Sequence, residues 1–263
     1  MTYLCSLIHD ADEYARPYKE AHRLAMRICI VNDDGIHGEG LTVLANWAKK
    51  LGEVTIFAPK VQQSGKSHSI ELHESFEVAE VEHPSGVRAF TVDSTPADCV
   101  RVALLAMGEK FDLVLSGVNC GYNLGREMIY SGTVGAALEA AVSGVKAIAF
   151  STGFDTFAGA EAYLDAAWAF LQEHELLSKA QVWNINIPEE PTGECRITRQ
   201  GGAFFSDEFR REGNMFFAAG KCIYTPTPDG RIDTNAVLRD RCISFTPIRN
   251  DKTDHDVLRQ LID

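Results

Sequence analysis

From residue 27 onward, short apolar runs alternate with stretches whose apolar positions recur every three or four residues. Residues 27–31 (RICIV) are almost wholly apolar, the pattern of a strand covered on both faces. A polar, Gly-rich turn follows over 32–40. Leu41, Leu44, Trp47, Ala48 and Leu51 then recur at the spacing that turns one helix face toward a core. Residues 54–58 predict a second strand, stopped by Pro59; 60–69 is a polar loop, and 72–81 and 88–92 predict further strands. Thr95-Pro96-Ala97-Asp98 has the form of a helix start: Thr95 can cap, Pro96 suits the first helical position, and Asp98 stands three residues after the cap. That helix is expected to reach about Met107. Residues 112–115 (DLVL) predict a buried strand, 116–131 a long Gly/Asn-rich loop and 132–143 a helix of small residues. A strand over 146–151, a helix over 159–171 and a strand over 182–187 (VWNINI) follow.

Strands alternating with helices imply an α/β fold, a mostly parallel sheet with helices on both faces. After Pro188 the pattern changes. Residues 194–220 are rich in Arg, Gly and Phe, and 222–225 and 242–247 read as strands with no helix between them. This predicts a β-rich C-terminal arm over 191–263, of the kind used in subunit exchange, behind a main domain over 27–190. Residues 1–26 carry His9, Asp10, Asp12, Glu13, Arg16, Lys19, Glu20 and Arg23, lack the apolar centre of a signal peptide, and are read as a peripheral extension.

A chain of 263 residues is long enough for one large domain, or a domain with a small appendage. Its 25 Lys and Arg stand against 37 Asp and Glu, a formal charge of -12. That balance argues against DNA or RNA duplexes and anionic membranes as partners, and leaves room for a small anion held locally. No apolar run reaches the roughly 18 residues a membrane helix needs. The 7 cysteines are scattered, with no C-x-x-C pair. A disulfide framework or structural zinc site is therefore not expected, and a reducing, cytoplasmic setting is.

Ligands of open parallel sheets bind beyond the carboxyl ends of the strands. The residues found there are Asn32, Asp33, Asp34 and Gly35 after the first strand, and Gln63, Ser64, Gly65, Lys66, Ser67 and His68 after the second. Ser116, Gly117, Asn119, Gly121 and Asn123, then Ser131, Gly132 and Thr133, follow the DLVL strand. Adjacent carboxylates repel, and a divalent cation removes that cost. Mg²⁺ or Mn²⁺ prefers oxygen donors, which Asp33, Asp34, Ser64 and Asn119 supply. Neighbouring residues share one ion only if the chain leaves strand geometry, which Gly35 permits. The alternative is that Asp33 caps the next helix and Asp34 is solvated. Ser131-Gly132-Thr133 opens a helix, whose free N–H groups, with the two hydroxyls and the Asn123 amide, can cradle a phosphate; the alternative is ordinary capping by Ser131 or Thr133. His68 can serve as donor to a leaving group or be structural, His37 is expected to be exposed, Lys66 is read as a solvated loop lysine, and Cys120 has no visible activating partner.

The blocks VNDDGIHGEG, FAPKVQQSGKSHSI, STPADCV, SGVNCGYNLG and YSGTVGAALEA, in this order, resemble the SurE family of stationary-phase survival proteins, which are metal-dependent nucleotidases. The resemblance runs from about Arg27 to Pro247. It implies a Rossmann-like catalytic domain with a smaller C-terminal region that forms homodimers or homotetramers. It also implies one Mg²⁺ or Mn²⁺ ion on Asp33, Asp34, Ser64 and Asn119, and phosphate contacts from Asn123, Ser131, Gly132 and Thr133. The implied reaction is hydrolysis of nucleoside 5′-monophosphates, with 3′-monophosphates and short polyphosphate as further candidates. A metal-activated water would attack and Asp33 or Asp34 would take its proton; a carboxylate nucleophile is the alternative. Lys60 stands where the family often has Asp, and Ser94 where it often has Gly, departures that bear on substrate preference. Residues 1–26 have no counterpart in the resemblance. Two other readings fit less well. A signalling receiver domain needs a phosphoacceptor Asp where the DLVL strand ends in Ser116. Dinucleotide binding needs G-x-G-x-x-G, whereas Gly35, Gly38 and Gly40 follow G-x-x-G-x-G.

Overall fold

Alternate residues of the central strands send apolar side chains to opposite faces, so the sheet has to be covered twice. In β1 (Met26–Val31), Ile28 and Ile30 pack on one side and Cys29 and Val31 on the other, all fully buried. The computed structural model describes residues 25–262. After β1 come α1 (Glu39–Ala48), β2 (Gly52–Pro59), β3 (Val78–Val81), β4 (Arg88–Val92) and α2 (Pro96–Arg101), which runs on into a wider π turn, Val102–Ala106. Next are β5 (Leu113–Cys120), a 3₁₀ turn at Gly125–Tyr130, α3 (Gly132–Val142), β6 (Lys146–Thr152), α4 (Ala158–Glu173), α5 (Leu176–Lys179) and β7 (Val182–Asn186). The remainder is β8 (Cys195–Ile197), β9 (Phe209–Glu212), β10 (Met215–Ala218), β11 (Ile243–Ile248) and α6 (His255–Ile262).

Nine strands form one sheet in the order β3-β4-β2-β1-β5-β6-β7-β11-β8. All neighbours are parallel except β3 on β4 and β11 on β7. The expected α/β class with a mostly parallel sheet is therefore found. Helices α1 and α4 cover one face, where Trp47 sits edge-on to Phe150 and Trp168. Helices α2 and α3 cover the other, over the stacked rings of Phe57 and Phe90. On that face Ala147 and Ala149 of β6 meet Ala136, Ala137 and Ala140 of α3. Small side chains on both partners bring this helix, and the loop that feeds it, close to the strand ends.

Three segments differ from expectation. The strand expected over 72–81 is confined to β3, because the Glu71 carboxylate accepts hydrogen bonds from the N–H groups of Leu72, His73 and Glu74 and curls the chain there into a turn. The loop expected from Ser116 is strand as far as Cys120: Asn119 and Cys120 pair with Ser151 and Thr152 across a bulge that absorbs Gly117, at φ +129°. Of residues 222–225 only Cys222 pairs, in an isolated bridge with Phe205, and a π turn at Asn235–Arg239 stands before β11 where the sequence predicts no helix.

The region after Pro188 divides. β11 and β8 complete the main sheet, whereas β9 and β10 form a separate antiparallel hairpin with every residue exposed. The extension expected over 1–26 lies outside the described residues, apart from Ala25 and Met26. No helix among the described residues is long and apolar enough to cross a membrane.

The cap read at Thr95 is present: Thr95 Oγ1 accepts from the Asp98 N–H at 3.1 Å, with Pro96 in the first turn. Thr95→Ala is expected to lower unfolding stability by about 1 kcal/mol, read as a lower urea midpoint with unchanged m-value.

Candidate active site

All the candidate residues lie along the rim formed by the carboxyl ends of β1, β2, β5 and β6. β1 ends at Val31, and Gly35, at φ +91° and placed where an added Cβ would lie 3.2 Å from the Val61 backbone and 3.3 Å from the Pro59 carbonyl oxygen, turns the chain out of strand geometry just after the two carboxylates. Asp33 is buried, Asp34 half-buried. The Asp33 carbonyl accepts the Gln63 N–H at 2.7 Å, which brings Ser64 alongside. The Asp34 carboxylate accepts from the Cys120 backbone N–H and, at 3.3 Å, from the Gln62 amide, which brings Asn119 alongside. Asn119 Nδ2 donates to the Gly121 carbonyl at 2.7 Å, so its side-chain oxygen is the end left for another partner.

Helix α3 starts directly on Asp33. Thr133 Oγ1 donates to Asp33 Oδ1 at 2.5 Å, the Thr133 N–H donates to the same carboxylate, and Gly132 packs so closely that an added Cβ would lie 3.1 Å from Asp33 Oδ2. Ser131 is the N-cap, its hydroxyl accepting from the Val134 N–H at 3.1 Å. Of the two hydroxyls read as phosphate donors, that of Thr133 is spent on the Asp33 carboxylate, whereas Ser131 caps the helix through an oxygen lone pair and keeps its O–H to donate. The positive end of α3 remains at the site.

Asn123 lies farther along the rim. Its side-chain amide donates to Ser151 Oγ at 2.8 Å, and Ser151 is the strand partner of Asn119. Its backbone is held on both sides, the N–H by Asn186 Oδ1 and the carbonyl by the amides of Asn184 and Asn186. Sequence reasoning missed these three supports. Their signal was two asparagines in an otherwise apolar strand, VWNINI, where an unpaired amide is costly.

Burial pushes the Asp33 carboxyl up to about 6; the Thr133 hydrogen bond opposes the rise and the neighbouring Asp34 charge adds to it. Asp34 is raised by burial too, against the Cys120 N–H and the Gln62 amide. Asn32 Oδ1, beside Asp33, is buried without a hydrogen-bond partner, an acceptor that a coordinated water can satisfy. No group of three or more His, Cys, Asp or Glu able to hold a metal occurs among the described residues. The donor set here is instead two carboxylates with a hydroxyl and an amide oxygen. Those donors fit a hard divalent cation that keeps several waters, such as Mg²⁺ or Mn²⁺, and not a thiolate or imidazole site.

Of the secondary candidates, His37 is exposed as expected and Lys66 is exposed on its loop. His68 does not stand free: its Nε2 lies 2.7 Å from Glu139 Oε2. Cys120 is exposed, and burial with nearby carboxylates raises its thiol pKa, the reverse of activation. A cavity of about 970 Å³ lies at the opposite end of β1 against Leu51, Trp168 and Leu171, and gathers no pair of acids.

The chain is similar to known proteins over most of its length. Residues 28–207 match the family model described as survival protein SurE. The chain is 37% identical over 252 residues to the 5′-nucleotidase SurE of Desulforudis audaxviator, covering 90% of this chain and 96% of that protein. It is 36% identical over 249 residues to the 5′-nucleotidase SurE of Herpetosiphon aurantiacus, covering 90% and 97%. Its fold is similar to the crystal structure of the SurE protein from Aquifex aeolicus, with a TM-score of 0.75 and 28% identity over 89% of this chain and 98% of that one.

With a pKa near 6 in the folded chain and 3.8 as its reference, Asp33 binds more protons folded than unfolded, so its share of stability falls as pH rises from about 4 through 6. Asp33→Asn is therefore expected to raise the melting temperature of the metal-free protein at pH 8, by an amount equivalent to at most roughly 3 kcal/mol, and to leave it nearly unchanged at pH 4. Differential scanning fluorimetry in EDTA at the two pH values checks the sign.

Proposed function

Because this chain belongs to the SurE family of survival proteins, we propose that it is a 5′-nucleotidase, hydrolysing nucleoside 5′-monophosphates to nucleoside and phosphate with one Mg²⁺ or Mn²⁺ ion held by Asp33, Asp34, Ser64 and Asn119. The observation that carries this reading is the Asp33 carboxylate, buried beside Asp34 and held by Thr133 against the start of α3. When bound, such a cation neutralises charge on the phosphoryl oxygens and acidifies a water.

The chain's own residues do the rest. Thr133 fixes the orientation of Asp33, and the bonds from Cys120 and Gln62 fix Asp34. Asp33 or Asp34 accepts the proton of the attacking water. The water oxygen bonds to phosphorus as the ester P–O bond breaks, and the departing 5′-oxygen takes up a proton. Gly132 and the N-terminus of α3 face the phosphoryl oxygens with partial positive charge. Asn123 offers the second N–H of its amide, the first being held by Ser151. Thr133 acts in this scheme by holding the carboxylate, and Ser131 caps the helix while offering its O–H to a phosphoryl oxygen.

The same reading assigns catalysis to residues 27–190 and assembly to 191–263. The exposed β9–β10 hairpin, with Phe209, Met215 and Phe216 in the open, is the surface through which a homodimer or homotetramer forms. The six cysteines of the described residues are free thiols, which supports a reducing, cytoplasmic setting.

A panel of 5′- and 3′-nucleotides, short polyphosphate and p-nitrophenyl phosphate, assayed for phosphate release with and without Mg²⁺ or Mn²⁺, tests the reading. Activity on 5′-monophosphates should vanish in EDTA and return with either cation. Asp33→Asn and Asp34→Asn should each lose more than about 100-fold in kcat/KM. Full activity in either variant, with EDTA without effect, overturns the mechanism. Hydroxylamine added during turnover should trap no acyl phosphate; trapping would make a carboxylate the nucleophile.

A further inference from the structure

Ser64 is exposed and makes no hydrogen bond of its own among the described residues, so its position is inherited from its loop. That loop is a tight turn, with the Lys66 N–H donating to the Gln63 carbonyl, and it is tied down at both ends. Its entry is held where Gln63 donates to the Asp33 carbonyl at 2.7 Å. Its exit is held on the segment leading into α3: the Ser67 N–H donates to the Tyr130 carbonyl at 3.0 Å and Ser67 Oγ to the Ile129 carbonyl at 2.6 Å. Ser67 sits at φ +57°, a left-handed conformation that a serine keeps only when its surroundings enforce it.

A further anchor comes one residue later. His68 Nε2 lies 2.7 Å from Glu139 Oε2, a side chain on the inner face of α3 with 7% exposure. Arg101 of α2 holds the other oxygen of the same carboxylate at 3.3 Å. Hydrogen bonding from His68, and then the charge of Arg101, hold Glu139 below the usual carboxylate range, so it is a fixed anion between them. Beneath the loop, α3 has a glycine where any side chain would collide: a Cβ at Gly135 would lie 2.4 Å from the Ser67 carbonyl oxygen and 2.9 Å from His68 Cα. The helix has thus given up a side chain so that this backbone can rest on it.

We propose that His68, anchored through Glu139 to Arg101, is a positioning residue that holds Ser64 at the cation site. The proposal rests on the reading of Ser64 as a cation ligand. His68 touches neither substrate nor cation in this scheme, and it acts by fixing the exit of the loop. A leaving-group acid is a different role, and its Nε2 is already committed to Glu139.

Binding of Mn²⁺ alone, followed by the EPR signal of the free ion, tests this without turnover. Ser64→Ala should weaken binding. His68→Ala should weaken it about tenfold, with the thermal transition retained, and His68→Gln, which can still donate to Glu139, should restore it. The double variant Ser64→Ala/His68→Ala should bind no more weakly than Ser64→Ala, because the histidine acts only through the serine. Effects that multiply, or an unchanged affinity in His68→Ala, overturn the proposal while leaving the cation site standing. An unchanged affinity in Ser64→Ala removes the serine as a ligand, and the proposal with it. Where His68→Ala fails to fold, Glu139→Met, which removes the acceptor and keeps the bulk, goes through the same cycle with Ser64→Ala, with the same outcomes deciding.

Discussion

A carboxylate placed out of water at the head of a helix organises this molecule. Asp33 is buried, its neighbour is another acid, and its proton affinity is raised accordingly. Left alone, such a group destabilises the fold around neutral pH. The chain answers with the nearest positive potential it can build, the start of α3, and with the Thr133 hydroxyl. That only partly offsets the loss of hydration, and under the proposed function the imbalance is what a bound cation would relieve. Site and fold are then opposite sides of one electrostatic arrangement: the energy stored in an awkward charge would be released by a counter-charge.

Everything needed to bring α3 to that carboxylate follows from small residues. Ala147 and Ala149 on the sheet and Ala136, Ala137 and Ala140 on the helix let the two approach closely. Gly132 meets Asp33, and Gly135 meets the loop from β2. A polar layer then crosses what would otherwise be an apolar sheet: Ser151 on β6 with Asn184 and Asn186 on β7 fix Asn123 through four hydrogen bonds. Groups of this kind stabilise little in net terms once desolvation is counted. Their contribution is geometric, since a loop bound at its amide, carbonyl and side chain has one conformation rather than several.

What the sequence revealed and what it concealed divide along the distance between interacting residues. The cap at Thr95 and Asp98 was legible because both partners lie within one turn. So were the strand at Arg88–Val92 and the helix at Gly132–Val142, where periodicity and composition agree. The segment after Glu71 was read as a strand throughout, but the Glu71 carboxylate captures three successive N–H groups and only its end pairs. Gly117 suggested a loop where the sheet instead accommodates a bulge. At the site, the oxygen-bearing residues could be named from their places after the strands. The roles of Ser131 and Thr133 could not be separated, because one hydroxyl turns to its own helix and the other to a residue 100 positions away. The role of His68 was hidden for the same reason: Glu139 is 71 residues distant.

The order in which the strands sit has a consequence for synthesis. β7 closes the run of parallel strands, and its outer edge is met by β11, with Ile185 opposite Phe245. As the polypeptide emerges from the ribosome, the parallel strands of the rim are all present once β7 has appeared, but Gly125 still awaits Gln200 and Asp233, and β7 offers a row of unsatisfied backbone groups to any passing extended chain. That edge stays open while some sixty further residues are translated, at a pace of roughly 5–20 per second. A nascent chain of this protein therefore spends several seconds with its run of parallel strands formed and one flank unsealed, the interval in which a holdase or a neighbouring nascent copy has its best opportunity to engage it.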